Sequence, residues 1–307
     1  MNPQFMEQLA ACVSAERILR GEPMSRHTTF RVGGPAELLI MPTLAELASV
    51  TALCRKYQVP VTIIGNGSNL LVKDGGVRGA VIELGQNAQE ITIKRDAESE
   101  EAEMLLGAGT LLSRAAQAAA KEGLSGLEFA AGIPGTVGGA LVMNAGAYGG
   151  EMKNIVTSAV VLTPEGEEKE LTLDELKLSY RHSVIPENRY LVLYVRLKLR
   201  AGDIREIYER MRDLGSRRQE KQPLEFPSAG STFKRPPGNY AGKLIMDAGL
   251  AGYRVGDAQV SEKHCGFVIN RGSAAAADIL QLIQDVQDIV YERFQVRLEP
   301  EIKIIGD

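Results

Sequence analysis

Gly132-Ile133-Pro134-Gly135-Thr136-Val137-Gly138-Gly139-Ala140, continued by Asn144-Ala145-Gly146-Ala147-Tyr148-Gly149, is the stretch on which the reading of this chain turns. It carries six glycines. Each costs about 1 kcal/mol of ordering relative to alanine inside a helix or strand, so ordinary core packing does not account for them. Glycine has no Cβ and tolerates positive φ, which lets backbone approach a ligand closely and turn several N–H groups towards one anion. The stretch reads as backbone laid flat against a large ligand. A second loop, Gly65-Asn66-Gly67-Ser68-Asn69-Leu70-Leu71, leaves the β-branched run 59–64. By itself that loop is equally a phosphate cradle or a plain strand-exit turn. Neither loop is a GxGxxG between strand and helix with an acid about twenty residues on, and neither is followed by Gly-Lys-Ser/Thr. A dinucleotide held by some other fold remains.

Outward from these loops, periodicity gives the elements. Residues 1–25 read as a short helix with a lead-in, and 36–41 as a strand. Thr43 and Glu46 have capping-box spacing ahead of a helix running to about residue 58, which Pro60 stops. The run 59–64 reads as a buried strand, and 77–84 as another. Ile91–Arg95 and 103–107 pair around the acidic run 96–101, expected as a solvated turn. The alanine-rich 111–122 ends at Gly123, a helix with a glycine C-cap. Strands follow at 158–163, Glu168–Thr172 and 190–199. Asp203 caps a helix bearing Ile204, Ile207, Tyr208, Met211 and Leu214. A proline-interrupted linker, 222–228, comes next. Ser273 starts a long helix over about 275–294. The composition changes near 200–205, where a domain boundary is expected.

With 307 residues, 44% of them hydrophobic and 24% charged, the chain has the profile of a globular protein of two or three domains. Its net charge of −4 argues against a coat for nucleic acid. Three cysteines, Cys12, Cys54 and Cys265, give neither a disulfide framework nor zinc spacing, and none of the three histidines stands in metal spacing. No secretory signal and no membrane-length apolar run is visible. A cytoplasmic, soluble protein, a monomer without metal, nucleic-acid or membrane partners, is the expectation.

Thr29-Phe30-Arg31-Val32-Gly33-Gly34-Pro35-Ala36, the two glycine loops, Ser179-Tyr180-Arg181-His182-Ser183, Ala229-Gly230-Ser231-Thr232-Phe233-Lys234, Val260-Ser261-Glu262-Lys263-His264 and Glu299-Pro300-Glu301-Ile302 occur in that order. In this the chain resembles the bacterial UDP-N-acetylenolpyruvoylglucosamine reductases, within the vanillyl-alcohol-oxidase-like group of FAD-binding proteins. The resemblance covers nearly the whole chain. It implies an α+β fold: a two-lobed FAD-binding domain, lobes at 1–85 and 86–202, a substrate domain at 203–300, and a terminal strand, 301–307, returning to the active site. It implies non-covalent FAD, NADPH as hydride donor, and a nucleotide-sugar substrate whose enolpyruvyl ether is reduced in peptidoglycan precursor synthesis. The short span between Arg181 and Ser231 resembles the compact branch of the family, without an added tyrosine loop over the substrate.

Carried over residue by residue, the resemblance implies cofactor contacts at Gly65, Asn66, Gly67, Ser68, Asn69 and Leu70, and at Gly132, Pro134, Gly135, Thr136, Gly138, Gly139, Asn144, Gly146 and Ala147. It implies Arg181, Ser231 and Glu301 as catalytic. Hydride addition to the terminal enolpyruvyl carbon leaves charge on the next carbon and its carboxylate. An arginine fork suits the carboxylate, a serine hydroxyl can protonate the strongly basic carbon, and Glu301 would polarise the intermediate or orient a water. Tyr148, Lys221, Lys234 and Arg235 are candidates for the substrate's sugar and diphosphate. His27, His182 and His264 read as structural or flavin-proximal, and Cys265 as a packed residue. Two rival readings are an FAD oxidase of alcohols or sugars on the same fold and a flavin-binding module without catalysis.

Overall fold

Val156–Leu162 and Leu191–Ala201 each alternate or run apolar residues along strands that bury most of their side chains, and both lie inside one antiparallel sheet. The sheet runs in the order Glu168–Thr172, Val156–Leu162, Leu191–Ala201, Glu101–Gly107 and Ile91–Arg95, and Leu124–Ser125 pairs with the far end of Leu191–Ala201. The computed structural model describes residues 1–95 and 99–307; residues 96–98 of the acidic run expected as a solvated turn lie outside the described residues. The helix Leu112–Lys121 buries Leu112, Ala115, Ala116, Ala119 and Ala120, and Gly123 at φ +62° ends it.

These elements belong to the first of two compact units, made of Met1–Leu19, Leu39–Asn66 and Gly79–Arg217; Arg20–Leu38, Gly67–Arg78 and Arg218–Asp307 form the second. In the first, Glu46 does more than cap. It accepts the Thr43 N–H at 2.8 Å, and it also takes the Arg17 guanidinium through both oxygens at 2.6 and 2.7 Å. These donors, Arg17 foremost, hold its carboxyl down to about 2. Asp203 accepts the N–H groups of Arg205 and Glu206 and starts the helix Ile204–Lys221.

Four expectations are corrected. The N-terminal helix is Pro3–Cys12, and Ile18–Pro23 beyond it is a strand. Val61–Ile64 pairs in parallel with Val77–Glu83, yet Val61 and Ile63 are each 40% exposed; the strand stands last in its sheet order, so β-branched residues here suit an extended edge and not a buried core. The glycine-rich stretch contains a short helix, Val137–Val142. The terminal helix, Ala276–Phe294, is not started by Ser273. Asp74 accepts the N–H groups of Ala276 and Ala277, each at 2.9 Å, and Asp278 accepts that of Ala275 at 3.0 Å.

The second unit is built around that helix. Ile279, Leu282, Ile283, Val286 and Val290 bury one face in a core that also holds Phe30, Val32, Leu71, Phe233 and Ile245. Ser228–Ser231, Phe267–Asn270, Ala258–Val260 and Arg254–Val255 form an antiparallel sheet in that order. Lys303–Ile305 lies parallel to Leu70–Val72. Among the described residues no helix is long and apolar enough to cross a membrane, no group of three or more His, Cys, Asp or Glu could hold a metal ion, and all three cysteines are free.

Candidate active site

In the first unit the two glycine stretches meet. The Asn66 amide donates to the Pro134 carbonyl at 2.6 Å. A Cβ at Gly65 would lie 2.3 Å from Thr136 Oγ1, and one at Gly138 would lie 2.9 Å from the Ala108 Cβ, so both positions need glycine for close approach. Thr136 is buried, caps the short helix, and accepts from the Gly139 N–H. The Val137 and Gly138 N–H groups are engaged by the Thr110 and Ala108 carbonyls, so these two serve the packing of the stretch. Gly139 differs: its backbone is exposed, and a Cβ there would meet only Thr136 Oγ1, at 3.4 Å. Gly132 and Gly139 thus expose bare backbone beside the fixed Asn66–Pro134 junction, which suits close approach by the diphosphate-bearing FAD.

Gly67 to Leu70 continue the first loop in the second unit. Gly67 stands at φ +60°, and a Cβ on it would lie 2.0 Å from the His27 carbonyl. The Thr29 N–H donates to the Gly67 carbonyl, the Thr29 hydroxyl to the Ser228 carbonyl at 2.6 Å, and the Asn270 amide to the Phe30 carbonyl at 3.2 Å. The segment around Thr29 and Phe30 therefore braces both this loop and the strand that leads to Ser231, a structural duty its sequence did not announce.

The glycine stretch ends in one hairpin, and a second lies beyond it. Gly146–Ala147 pairs with Gly150–Glu151, and Tyr148 and Gly149 turn between them at φ +54° and +87°. A Cβ at Gly146 would lie 2.7 Å from the Gly150 carbonyl oxygen, so Gly146 lets the strands close. Tyr148, at the tip, is 40% exposed. In the second hairpin Ser179 and His182 exchange both backbone hydrogen bonds, with Tyr180 and Arg181 between them. Arg181 stands at φ +54°, a left-handed conformation that costs a non-glycine residue about 1–2 kcal/mol. Its guanidinium lies over the Tyr180 ring at 5.1 Å. Asn144 is buried, at φ +40°, and its amide is spent between the hairpins, on Glu151 and on the Ser179 carbonyl.

In the second unit the register against Phe267–Asn270 slips by one between Ser228 and Ser231. Gly230, at φ +76°, sits in this bulge, which re-aims the residue that follows. That residue is Ser231. Its neighbour Thr232 is buried; its carbonyl accepts the Glu301 N–H at 2.8 Å, and its hydroxyl accepts the Val268 N–H. The Asn69 amide donates to the Glu301 carbonyl at 3.3 Å, and the Lys303 N–H donates to the Asn69 carbonyl. The first glycine loop, Ser231 and Glu301 are thereby joined through backbone. Arg181 belongs to the other unit.

Lys234 pairs with Glu299 at 3.1 Å, and Arg235 stacks over the exposed Tyr240 ring at 3.9 Å. Lys221 is exposed at the end of its helix. His264 is largely buried, which lowers its pKa, and its Nδ1 accepts the Gly266 N–H. Cys265 is buried, and burial raises its thiol pKa.

Residues 35–172 match the model of an FAD binding domain, and residues 222–305 match that of the UDP-N-acetylenolpyruvoylglucosamine reductase C-terminal domain. The chain is 53% identical to the UDP-N-acetylenolpyruvoylglucosamine reductase of Agathobacter rectalis over the full length of both, and 50% identical to that of Clostridioides difficile over 100% of this chain and 99% of the other. It is similar to the crystal structure of UDP-N-acetylenolpyruvylglucosamine reductase from Thermus caldophilus, with TM-score 0.78 and 39% identity, covering 94% of this chain and 98% of that one. Alkyldihydroxyacetonephosphate synthase, at 18% identity and TM-score 0.50 over 66% of this chain and 41% of that one, shares the fold alone.

Proposed function

Because the chain belongs to the UDP-N-acetylenolpyruvoylglucosamine reductase family, we propose that Arg181, Ser231 and Glu301 carry the reduction of the substrate's enolpyruvyl ether. The chain is an FAD-dependent oxidoreductase with NADPH as hydride donor, acting on the enolpyruvyl ether of UDP-N-acetylglucosamine to give UDP-N-acetylmuramate in peptidoglycan precursor synthesis. Bound FAD supplies the relay of hydride from NADPH to the terminal enolpyruvyl carbon.

The remaining chemistry is the protein's. As the terminal carbon gains hydride, negative charge develops on the adjacent carbon and its carboxylate. Arg181 holds that carboxylate through two parallel N–H donors and so stabilises the charge where it grows. The Ser231 hydroxyl gives its proton to the adjacent carbon, completing addition of hydride and proton across the double bond. Glu301 polarises the same intermediate. The observation that supports this most is the 2.8 Å bond from the Glu301 N–H to the Thr232 carbonyl, which draws the Ser231 and Glu301 backbones side by side just after a bulge.

Cofactor contacts are assigned to Gly65, Asn66, Gly67, Ser68, Asn69 and Leu70 and to Gly132, Pro134, Gly135, Thr136, Gly139, Gly146 and Ala147, with Gly138 and Asn144 holding that stretch from within, inside lobes 1–85 and 86–202. Substrate contacts are assigned to Tyr148, Lys221, Lys234 and Arg235, the last three within the 203–300 segment, and residues 301–307 return as the strand after Glu301. The reaction is assigned to the cytoplasm and to a monomer. Stopped-flow absorbance at the flavin band tests the chemistry. NADPH is expected to bleach the flavin, and anaerobic addition of the enolpyruvyl substrate to restore it. Bleaching without recovery overturns the reading.

A further inference from the structure

The geometry points to Asn144 as the clasp that fixes the Arg181 hairpin against the Tyr148 hairpin, a positioning residue for recognition of the substrate's carboxylate. The inference rests on the role proposed for Arg181. Asn144 Nδ2 donates to a Glu151 oxygen at 3.0 Å and to the Ser179 carbonyl at 3.1 Å, and its Oδ1 accepts the Lys153 N–H at 2.9 Å. Glu151 ends the hairpin whose tip is Tyr148, and Ser179 opens the one whose tip carries Arg181. One buried amide therefore reaches both arms. Ser183, also buried, adds a second tie, from its hydroxyl to the Val142 carbonyl at 2.8 Å. Arg181 needs such support, because an arginine at φ +54° relaxes unless its surroundings hold it there.

Asparagine is specific to this place. Aspartate has the same shape and still accepts from Lys153, but it replaces both donors with an oxygen facing the Glu151 carboxylate. Adding Glu151→Gln to the Asn144→Asp enzyme restores a donor–acceptor pair, with the direction reversed, but leaves the Ser179 carbonyl without its donor.

The test compares binding of UDP-N-acetylmuramate, which bears the carboxylate, with that of UDP-N-acetylglucosamine, which lacks it, by calorimetry on the FAD-loaded proteins. Misplacing a positioned group by about 1 Å costs roughly a hundredfold. Asn144→Asp is therefore expected to weaken binding of the carboxylate-bearing ligand roughly ten- to a hundredfold more than that of its partner, and Asn144→Asp/Glu151→Gln to recover part of the difference. Arg181→Ala is the reference, expected to erase the preference. Equal weakening of both ligands by Asn144→Asp, or a change confined to FAD content, overturns the clasp. If Arg181→Ala leaves the preference intact, the role assigned to Arg181 falls first. If Arg181→Ala erases the preference while Asn144→Asp retains it, the clasp alone falls.

Discussion

Ser231 follows a glycine at φ +76°, and Arg181 itself stands at φ +54°. Both positions depend on backbone that most side chains disfavour, and each supports a different prediction. Ser231→Ala should leave flavin bleaching by NADPH intact and slow reoxidation by the enolpyruvyl substrate roughly 10²–10⁴-fold, the usual worth of a positioned proton donor; single-turnover traces check it. Arg181→Gly should relieve the turn and raise the free energy of urea unfolding by up to about 1 kcal/mol while weakening product binding. That pairing of gain and loss marks a residue kept for chemistry. Glu46 offers a pH test. Its carboxyl is depressed to about 2 from 4.5, chiefly by Arg17, so the Arg17–Glu46 pair stabilises the fold above the unfolded value and fades as pH falls from 4.5 towards 2. The gap in urea midpoint between the protein and Glu46→Gln should be full near neutrality and shrink across that window. The Thr43–Glu46 spacing was legible in the sequence. Arg17 was not, because its partner lies 29 residues away and the element between them, Ile18–Pro23, read as part of a helical lead-in.

At the scale of elements, what repeats was legible and what is built from separated pieces was not. The strand runs 158–163 and 190–199, the alanines before Gly123 and the stripe from Ile279 to Val290 all lie in the strands and helices expected of them. The cap on the long helix escaped notice, since Asp74 lies about 200 residues from the N–H groups it accepts. Asp74→Ala is expected to cost about 1 kcal/mol, and Asp74→Asn less, read as shifts in thermal midpoint. The helix inside the glycine stretch was hidden for a different reason. Gly138 and Gly139 argue against a helix by propensity, but close approach to Ala108 and the Thr136 cap outweigh that penalty over one short turn. The candidate site was legible as motifs. The bulge at Gly230 and the amide bridge at Asn144 were not, because both are made by residues that meet only in the fold.

For the molecule as a whole, the second unit cannot be cut out as a continuous piece. Phe30, Val32 and Leu71 lie in its core, Asp74 caps its long helix, and Leu70–Val72 pairs with Lys303–Ile305. A fragment of residues 218–307 alone should therefore show little of the far-ultraviolet circular dichroism expected of its helix and sheet, whereas adding residues 20–38 and 67–78 in trans should restore some of it. The parallel pairing of Leu70–Val72 with Lys303–Ile305 also sets a schedule for synthesis. The earlier strand leaves the ribosome more than two hundred residues before its partner. An arrested nascent chain can therefore own both glycine loops while Leu70–Val72 still waits, unpaired on that side, for a strand not yet made.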